Sequence, residues 1–509
     1  MLTDVFSRFP NFKCNSIAPA VLHTTMGLFF TLLYILTAYL GPQTLFGALA
    51  DYHVQVIIFV IAMMGSILSV QGSGISRISQ SYSLLMMCAA VFLSFIFNRL
   101  FGLAPLALLD FVPNAFIFFL VIVNCKKKAH LQAIILTLLF ACLFTLVRGV
   151  LALNANELTS PYLISQGNDA GDYIIRIRGL SFINDPNDFA QLMVSLIPCL
   201  FFFWKKDSTF RNMVVVLIPA AALVYAMFLT HSRGAILALL VVIVFAGRKK
   251  IGTVGSLIGG GLLFVLSMAA GWSGGRAISV DSGSDRLEAW STGLQLIRSH
   301  PLFGVGFERF SEYNPITAHN TVVVCAAELG IFGLYFWIMY VFPTFRDMVS
   351  ASKLPGDAFP QPEVDNALPE HLQRRLAPSP SIQLLHANLK LAIATGPDIA
   401  HPASAPAPYY ASDEAAEAIP DEELGRLASI MTISLLGYFV AGWFLSRAYV
   451  MTLFVYVGIA EVIYSMALNR QIVPPRMKIM GLLRMSAFIS IGLIAFVYVM
   501  LRVQRMMPH

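Results

Sequence analysis

Apolar residues in this chain come in long unbroken runs, and polar residues collect between them. Runs of about 20 apolar residues match the hydrocarbon thickness of a bilayer, whereas the strands of an outer-membrane barrel give weak alternation over about 10. The pattern predicts spans at roughly 17–40, 54–70, 82–99, 104–124, 130–150, 188–204, 213–230, 234–247, 252–271, 320–343, 428–445, 449–467 and 481–501. These are about thirteen, in a range of about 12–14, because 234–247 is short and Asp110 and Pro113 interrupt 104–124. The expected fold is an all-α polytopic membrane protein. Its expected organisation is a transmembrane domain over 1–349 with polar loops at 151–187 and 272–319, a Pro/Ala-rich loop at 350–427, and C-terminal transmembrane helices over 428–509.

Composition agrees. The chain has 509 residues, 57% of them hydrophobic and 12% charged, with a mean hydropathy of +0.73. Soluble proteins carry about a quarter charged residues. A cleaved signal peptide is not expected, because Arg8, Lys13 and His23 lead into a long first span without a small-residue cleavage site. The six cysteines show no CxxC or Cys/His metal spacing and read as packing residues.

The net charge of +6 sets an orientation. Three basic clusters sit at span ends: Lys126-Lys127-Lys128, Lys205-Lys206 with Arg211, and Arg248-Lys249-Lys250. Alternating the spans puts all three on one face, which the positive-inside rule makes cytoplasmic. The loops 151–187 and 272–319 and the turn His231-Ser232-Arg233 then lie on the opposite face, outside the cytoplasmic membrane. Thirteen spans also place Arg502 and Arg505 outside, against that rule. The basic residues do not line one soluble face, so nucleic acid is not an expected partner. Residues 350–427 lack apolar periodicity and read as a cytoplasmic loop, largely disordered, with a short helix near 381–395.

Arginine is normally depleted from outside loops, yet these hold Arg176, Arg178, Arg233, Arg276, Arg286, Arg298 and Arg309. Arg276 and Arg309 read as headgroup anchors or solvated charges. Arg178, Arg233 and Arg286 differ, being framed by small or turn residues in Arg178-Gly179, Ser232-Arg233-Gly234-Ala235 and Gly283-Ser284-Asp285-Arg286. Glycine lets a ligand approach the backbone, and guanidinium forks match phosphate oxygens at two points. Converging arginines at an outer membrane face suit a lipid pyrophosphate.

Two further groupings bear on chemistry. Asp185-Pro186-Asn187-Asp188 before a span is a turn and N-cap signal; capping alone accounts for Asn187 or Asp188, and sugar hydrogen bonding is a second use for the surplus polar groups. His319 stands at the start of a span beside Asn320 and closes a loop holding Arg286, Trp290, Phe307, Phe310 and Tyr313. A lone histidine at a span end is commonly just interfacial. Here a helix N-terminus, a neighbouring amide and aromatic faces suited to sugar rings favour a general base for a hydroxyl nucleophile.

At these residues the chain resembles the O-antigen ligase and polymerase superfamily. The resemblance rests on Arg178-Gly-Leu-Ser-Phe-Ile-Asn-Asp-Pro-Asn-Asp-Phe-Ala, Ser232-Arg233-Gly234-Ala235, Asp285-Arg286 with Trp290, His300-Pro301-Leu302-Phe303-Gly304-Val305-Gly306, Ala318-His319-Asn320 and Glu328-Leu329-Gly330. It covers about 170–345, and the long loop at 350–427 departs from the family core. It implies a membrane glycosyltransferase of the bacterial inner membrane with a periplasmic active site. The donor would be an undecaprenyl-pyrophosphate-linked glycan. The acceptor would be lipid A-core or a second lipid-linked repeat unit, in lipopolysaccharide or exopolysaccharide assembly; transfer to a protein hydroxyl is a third variant. By the match, His319 assists the acceptor and Arg233 and Arg286 neutralise the pyrophosphate. Arg178, Asp185, Asn187, Asn320 and Trp290 are the expected substrate contacts, and no cofactor or metal is expected. The rival reading is a flippase for lipid-linked oligosaccharides, for which Asp110 with Pro113 is the one suggestive feature.

Overall fold

The computed structural model describes residues 19–52, 54–67, 70, 75, 78–167, 173–272, 280–353 and 419–506. Its long helices, in chain order, are α1 (Pro19–Leu40), α2 (Val54–Ser66), α3 (Ser79–Phe97), α4 (Ala104–Asn124), α5 (Lys128–Asn154), α6 (Pro186–Cys199), α7 (Thr209–Leu229), α8 (Arg233–Ala269), α9 (Val280–Ser299), α10 (Thr321–Ala351), α11 (Asp421–Gly442), α12 (Met451–Asn469) and α13 (Ile479–Met506). Among the described residues nine helices are long and apolar enough to cross a membrane, and Met26–Leu40, Val54–Ser66 and Ile251–Ser267 are shorter apolar helices. The chain is an all-α polytopic membrane protein.

The elements differ from the sequence expectation where local chemistry outweighs hydropathy. The spans at 234–247 and 252–271 are the two limbs of α8, joined through Gly252 at φ 74°. Pro113 does not break α4; Tyr34 Oη donates to its carbonyl at 2.8 Å and ties α1 to that point. The loop at 272–319 contains α9, and the loop at 151–187 contains a hairpin of β1 (Leu163–Gly167) and β2 (Tyr173–Ile177), antiparallel, with Ile164 opposite Arg176. Residues 421–427, expected as loop, form the first turns of α11. The helix expected near 381–395 and the loop expected around it at 354–418 lie outside the described residues.

Without a hydrophobic drive between helices in lipid, small residues and polar ties hold a bundle together. Asn124 supplies one tie: its Nδ2 donates to Thr31 Oγ1 at 3.1 Å and to Ser66 Oγ at 2.7 Å, linking α4 to α1 and α2. α6 and α12 lie deep in the bundle; in α12, Phe454, Tyr456, Val457 and Ile463 are fully buried. The second limb of α8 and much of α13 expose apolar side chains such as Leu257, Val265, Phe488 and Ile491, a surface suited to acyl chains.

The two faces are chemically distinct. Lys128 pairs with Glu423, Arg426 donates to Phe201 O, and Arg211 donates to Phe203 O, so these basic clusters share one end of the bundle. The hairpin, α9 and the connections 180–187, 230–233, 300–320 and 443–450 occupy the other end.

At that end α10 is broken at Gly330, φ 67°. Every backbone group freed by a break at membrane depth needs a partner. Segment 301–306 supplies them: Val305 N donates to Ala327 O, Gly306 N to Glu328 O, and Ile331 N and Phe332 N donate to Pro301 O and Leu302 O. A Cβ at Gly330 would stand 2.3 Å from Leu302 O, and one at Gly304, φ 65°, 2.3 Å from the Glu328 carbonyl. The two glycine motifs singled out in the sequence are thus halves of one backbone splice that fixes the loop leading to His319.

Candidate functional site

A cavity of about 160 Å³ opens at this end between the hairpin, α6, α8, α9 and the connection after α11. Arg176, Arg233, Arg286 and His319 line it, with Gln166, Asn187, Ser232 and Gly234 between them and Ala441, Phe444 and Leu445 as the apolar wall.

The hairpin fixes Arg176. Its Nε donates to Thr230 O at 2.7 Å, Nη1 to Gln166 Oε1 at 2.6 Å and Nη2 to Asn187 Oδ1 at 3.1 Å. Asn187 is placed for this because Asp185, not Asn187 or Asp188, caps α6: Asp185 Oδ1 accepts from Asn187 N at 2.7 Å, with Pro186 at the first helical position. Arg178, an expected substrate contact, lies past the strand end, where its Nε donates to Pro161 O at 3.1 Å; it is not among the lining residues.

Arg233 opens α8, so Ser232, Arg233 and Gly234 present a helix N-terminus to the cavity. Backbone N–H groups and the helix dipole there favour an anion. Arg286 enters from α9. Burial, and then the charge of Arg233, lower the Arg286 pKa from its ordinary value. Two guanidiniums that disfavour each other in a confined space are relieved by an anion between them.

His319 is half-buried, with φ 44°. Burial lowers its pKa below the ordinary 6.5; Arg286 and Arg447 add to this and Asp185 opposes it. Burial thus favours the neutral imidazole, the form that accepts a proton. Its backbone is held on both sides. Trp290 Nε1 donates to Ala318 O at 2.7 Å. Asn320 caps α10, accepting from Val322 N at 3.0 Å and Val323 N at 3.1 Å, while its Nδ2 donates to Trp443 O at 3.3 Å.

Of the sequence-predicted site residues, Arg233, Arg286, His319 and Asn187 meet at the cavity. Asp185, Asn320 and Trp290 act on those residues from behind: Asn320 is fully buried, and Trp290 packs edge-on against Trp443. Phe307 is also core, whereas Tyr313 is exposed. Arg309 pairs with Glu312 and is not among the residues lining the cavity. Arg276 lies outside the described residues.

The sequence places Arg176 among the outside arginines without a role at the site, and it does not point to Gln166 or the segment 441–447. The signal for Arg176 was its place inside a short β-prone run, Tyr173–Ile177. Arg447 carries no local signal. It pairs with Asp188 of α6, and although burial alone would lower its pKa, Asp188, Asp185 and Glu308 raise it.

No curated protein matches the chain. Residues 218–338, which run from α7 through Arg233, Arg286 and His319 into α10, match the family model described as O-antigen ligase, the superfamily that the sequence resembles.

Proposed function

We propose that this chain is a bacterial inner-membrane glycosyltransferase that moves a glycan from undecaprenyl pyrophosphate to an acceptor hydroxyl on the periplasmic face, in O-antigen or exopolysaccharide assembly. The observation that carries this reading is that His319 lines the same cavity as Arg176, Arg233, Arg286 and a helix N-terminus, with burial lowering the His319 pKa. The O-antigen ligase match over 218–338 supports a role in glycan assembly.

The geometry suits a single displacement. The acceptor oxygen attacks the anomeric carbon and gives up its proton to His319. A new C–O bond forms as the bond from the anomeric carbon to the phosphate oxygen breaks. The lipid pyrophosphate leaves with the electron pair, and its added charge is met by Arg233, Arg286 and the N–H groups at the start of α8. Arg176 is already bonded to Gln166 and Asn187, so it approaches as a fixed group rather than a mobile side chain. In this reading guanidinium charge does the work a cation would do, and a chelator leaves the rate unchanged.

A transfer assay with purified protein tests the reading. Lipid-pyrophosphate-linked glycan is offered separately with lipid A-core and with a second lipid-linked repeat unit, for wild type and His319→Ala. Transfer to one acceptor, lost in the variant, supports the enzyme and separates ligase from polymerase. Absence of transfer to either acceptor, with the variant behaving as wild type in cells that make the polysaccharide, rejects it in favour of a transporter.

A further inference from the structure

A second cavity, about 250 Å³, opens at the same end of the bundle. It shares no lining residue with the first, yet the two have common walls. In the segment before α10, Thr317 faces the second cavity and His319 the first. In the connection after α11, Phe444 and Leu445 face the first, and Ser446 and Arg447 the second. Two turns of chain, one carrying His319, are therefore the partition. The charge of Arg447 reaches across it to His319.

The chemistry of the two sides differs. The first cavity is lined by three guanidiniums. The second presents the Glu308 carboxylate, the Asn114 amide, the hydroxyls of Ser311, Thr317 and Ser446, and the rings of Phe310 and Tyr449. Its one arginine, Arg447, is already paired with Asp188. A carboxylate beside a neutralised arginine repels phosphate. Amide, hydroxyl and carboxylate groups around aromatic faces match a ring bearing several hydroxyls.

Two details set the lining of this cavity apart. Ser446 Oγ and Tyr449 Oη are buried without a hydrogen bond, and the Cys325 thiol beside Tyr449 is a weak partner at best. Buried polar groups left unpaired are uncommon and destabilising. Glu308 holds φ 59°, a strained backbone for a side chain of its size. Glu328, which also lines the cavity, accepts from Phe310 N at 3.3 Å in the same turn.

Building on the glycosyltransferase reading, we propose that this second cavity binds the acceptor as a single terminal sugar ring, with Glu308 and Ser446 holding its hydroxyls and Thr317 leading one of them toward His319. Its volume is below the roughly 300–1,000 Å³ of sites for drug-sized ligands, which suits one ring rather than an extended glycan. The donor pyrophosphate and the acceptor sugar then occupy separate compartments with the base on the wall between them.

The test separates sugar binding from transfer. Saturation-transfer NMR on the purified full-length chain measures binding of two lipid-free probes, a delipidated core oligosaccharide and a pyrophosphate-free repeat-unit oligosaccharide. We expect one of them to bind wild type and Arg286→Ala alike, to bind Glu308→Gln at least tenfold more weakly, and to be lost in Ser446→Phe. In the transfer assay Glu308→Gln raises KM for the acceptor and leaves KM for the donor unchanged. Glu308 reaches solvent at the cavity mouth and the change to glutamine is isosteric, so this variant keeps the test open if Ser446→Phe does not fold. Failure of both probes to bind wild type overturns the proposal, as does binding that survives Ser446→Phe but is lost in Arg286→Ala. Sugar binding without transfer keeps this site and rejects the glycosyltransferase reading; transfer with acceptor KM indifferent to Glu308→Gln does the reverse.

Discussion

Arg447, from the connection between α11 and α12, is ion-paired with Asp188 in the first turn of α6. The Asp188 side chain is 4% exposed and that of Arg447 33%. The pair joins the C-terminal helices to the helix whose N-terminal residues hold Asn187 and, through it, Arg176.

Removing one partner strands the other. Arg447→Met leaves a buried carboxylate unpaired and is expected to destabilise the fold by about 3 kcal/mol, whereas the double change with Asp188→Leu recovers most of that loss. Thermal unfolding in detergent, followed by tryptophan fluorescence, checks both. A single variant as stable as wild type would mean the ion pair contributes nothing to holding α6.

His319 is expected to set the acid limb of the pH–rate profile. Its pKa lies below 6.5, so transfer stays high at neutral pH and falls as pH drops through that lowered value. Removing the positive charge in Arg286→Ala stabilises the imidazolium and moves the limb to higher pH. Asp185→Asn removes the opposing charge and moves it lower. His319→Ala is expected to lower kcat by about 10²–10⁴. A limb indifferent to both charge changes would assign the titration to another group.

The arginines are expected to act on the donor. Arg233→Gln or Arg286→Gln each removes a charge-assisted contact of about 1.5–3 kcal/mol, or roughly 10–100-fold in kcat/KM for the lipid-linked glycan. Arg178→Gln, outside the cavity, is expected to leave that ratio within about twofold. Initial rates at varied donor concentration distinguish these variants.

The spans were legible because run length is a direct consequence of bilayer thickness, and the arginine and histidine motifs because charge stands out between apolar runs. α9 was missed as a helix, although Leu287, Trp290, Leu294 and Ile297 recur at helical spacing and pack inward; the polar residues among them masked the stripe. The glycine after Arg178 points to the wrong arginine: β2 ends at Ile177, so Arg176 is held in the hairpin at the cavity while Arg178 lies past the strand end. Arg447 was beyond reach, since its meaning comes from a residue on a distant helix.

The glycine splice at the α10 break carries its own prediction. Gly330→Ala places a Cβ 2.3 Å from Leu302 O at a positive φ, and a cost of about 1–3 kcal/mol for the backbone alone is expected, with a displaced His319 loop and lost transfer. Gly492→Ala, with nothing near its Cβ position, is the matched control and is expected to be neutral. Unfolding temperature and transfer rate read both.

The apolar wall of the first cavity and the partner of Asp188 both come from residues 441–447, which the ribosome reaches only after the whole family-matched stretch and the residues 354–418 beyond it. A growing chain that has not reached these residues lacks both that wall and that ion pair. On the glycosyltransferase reading proposed above, transfer is therefore expected only once residues 441–447 are in place. Fragments 1–353 and 419–509 made as separate polypeptides are therefore expected to be silent alone and to regain transfer when produced together.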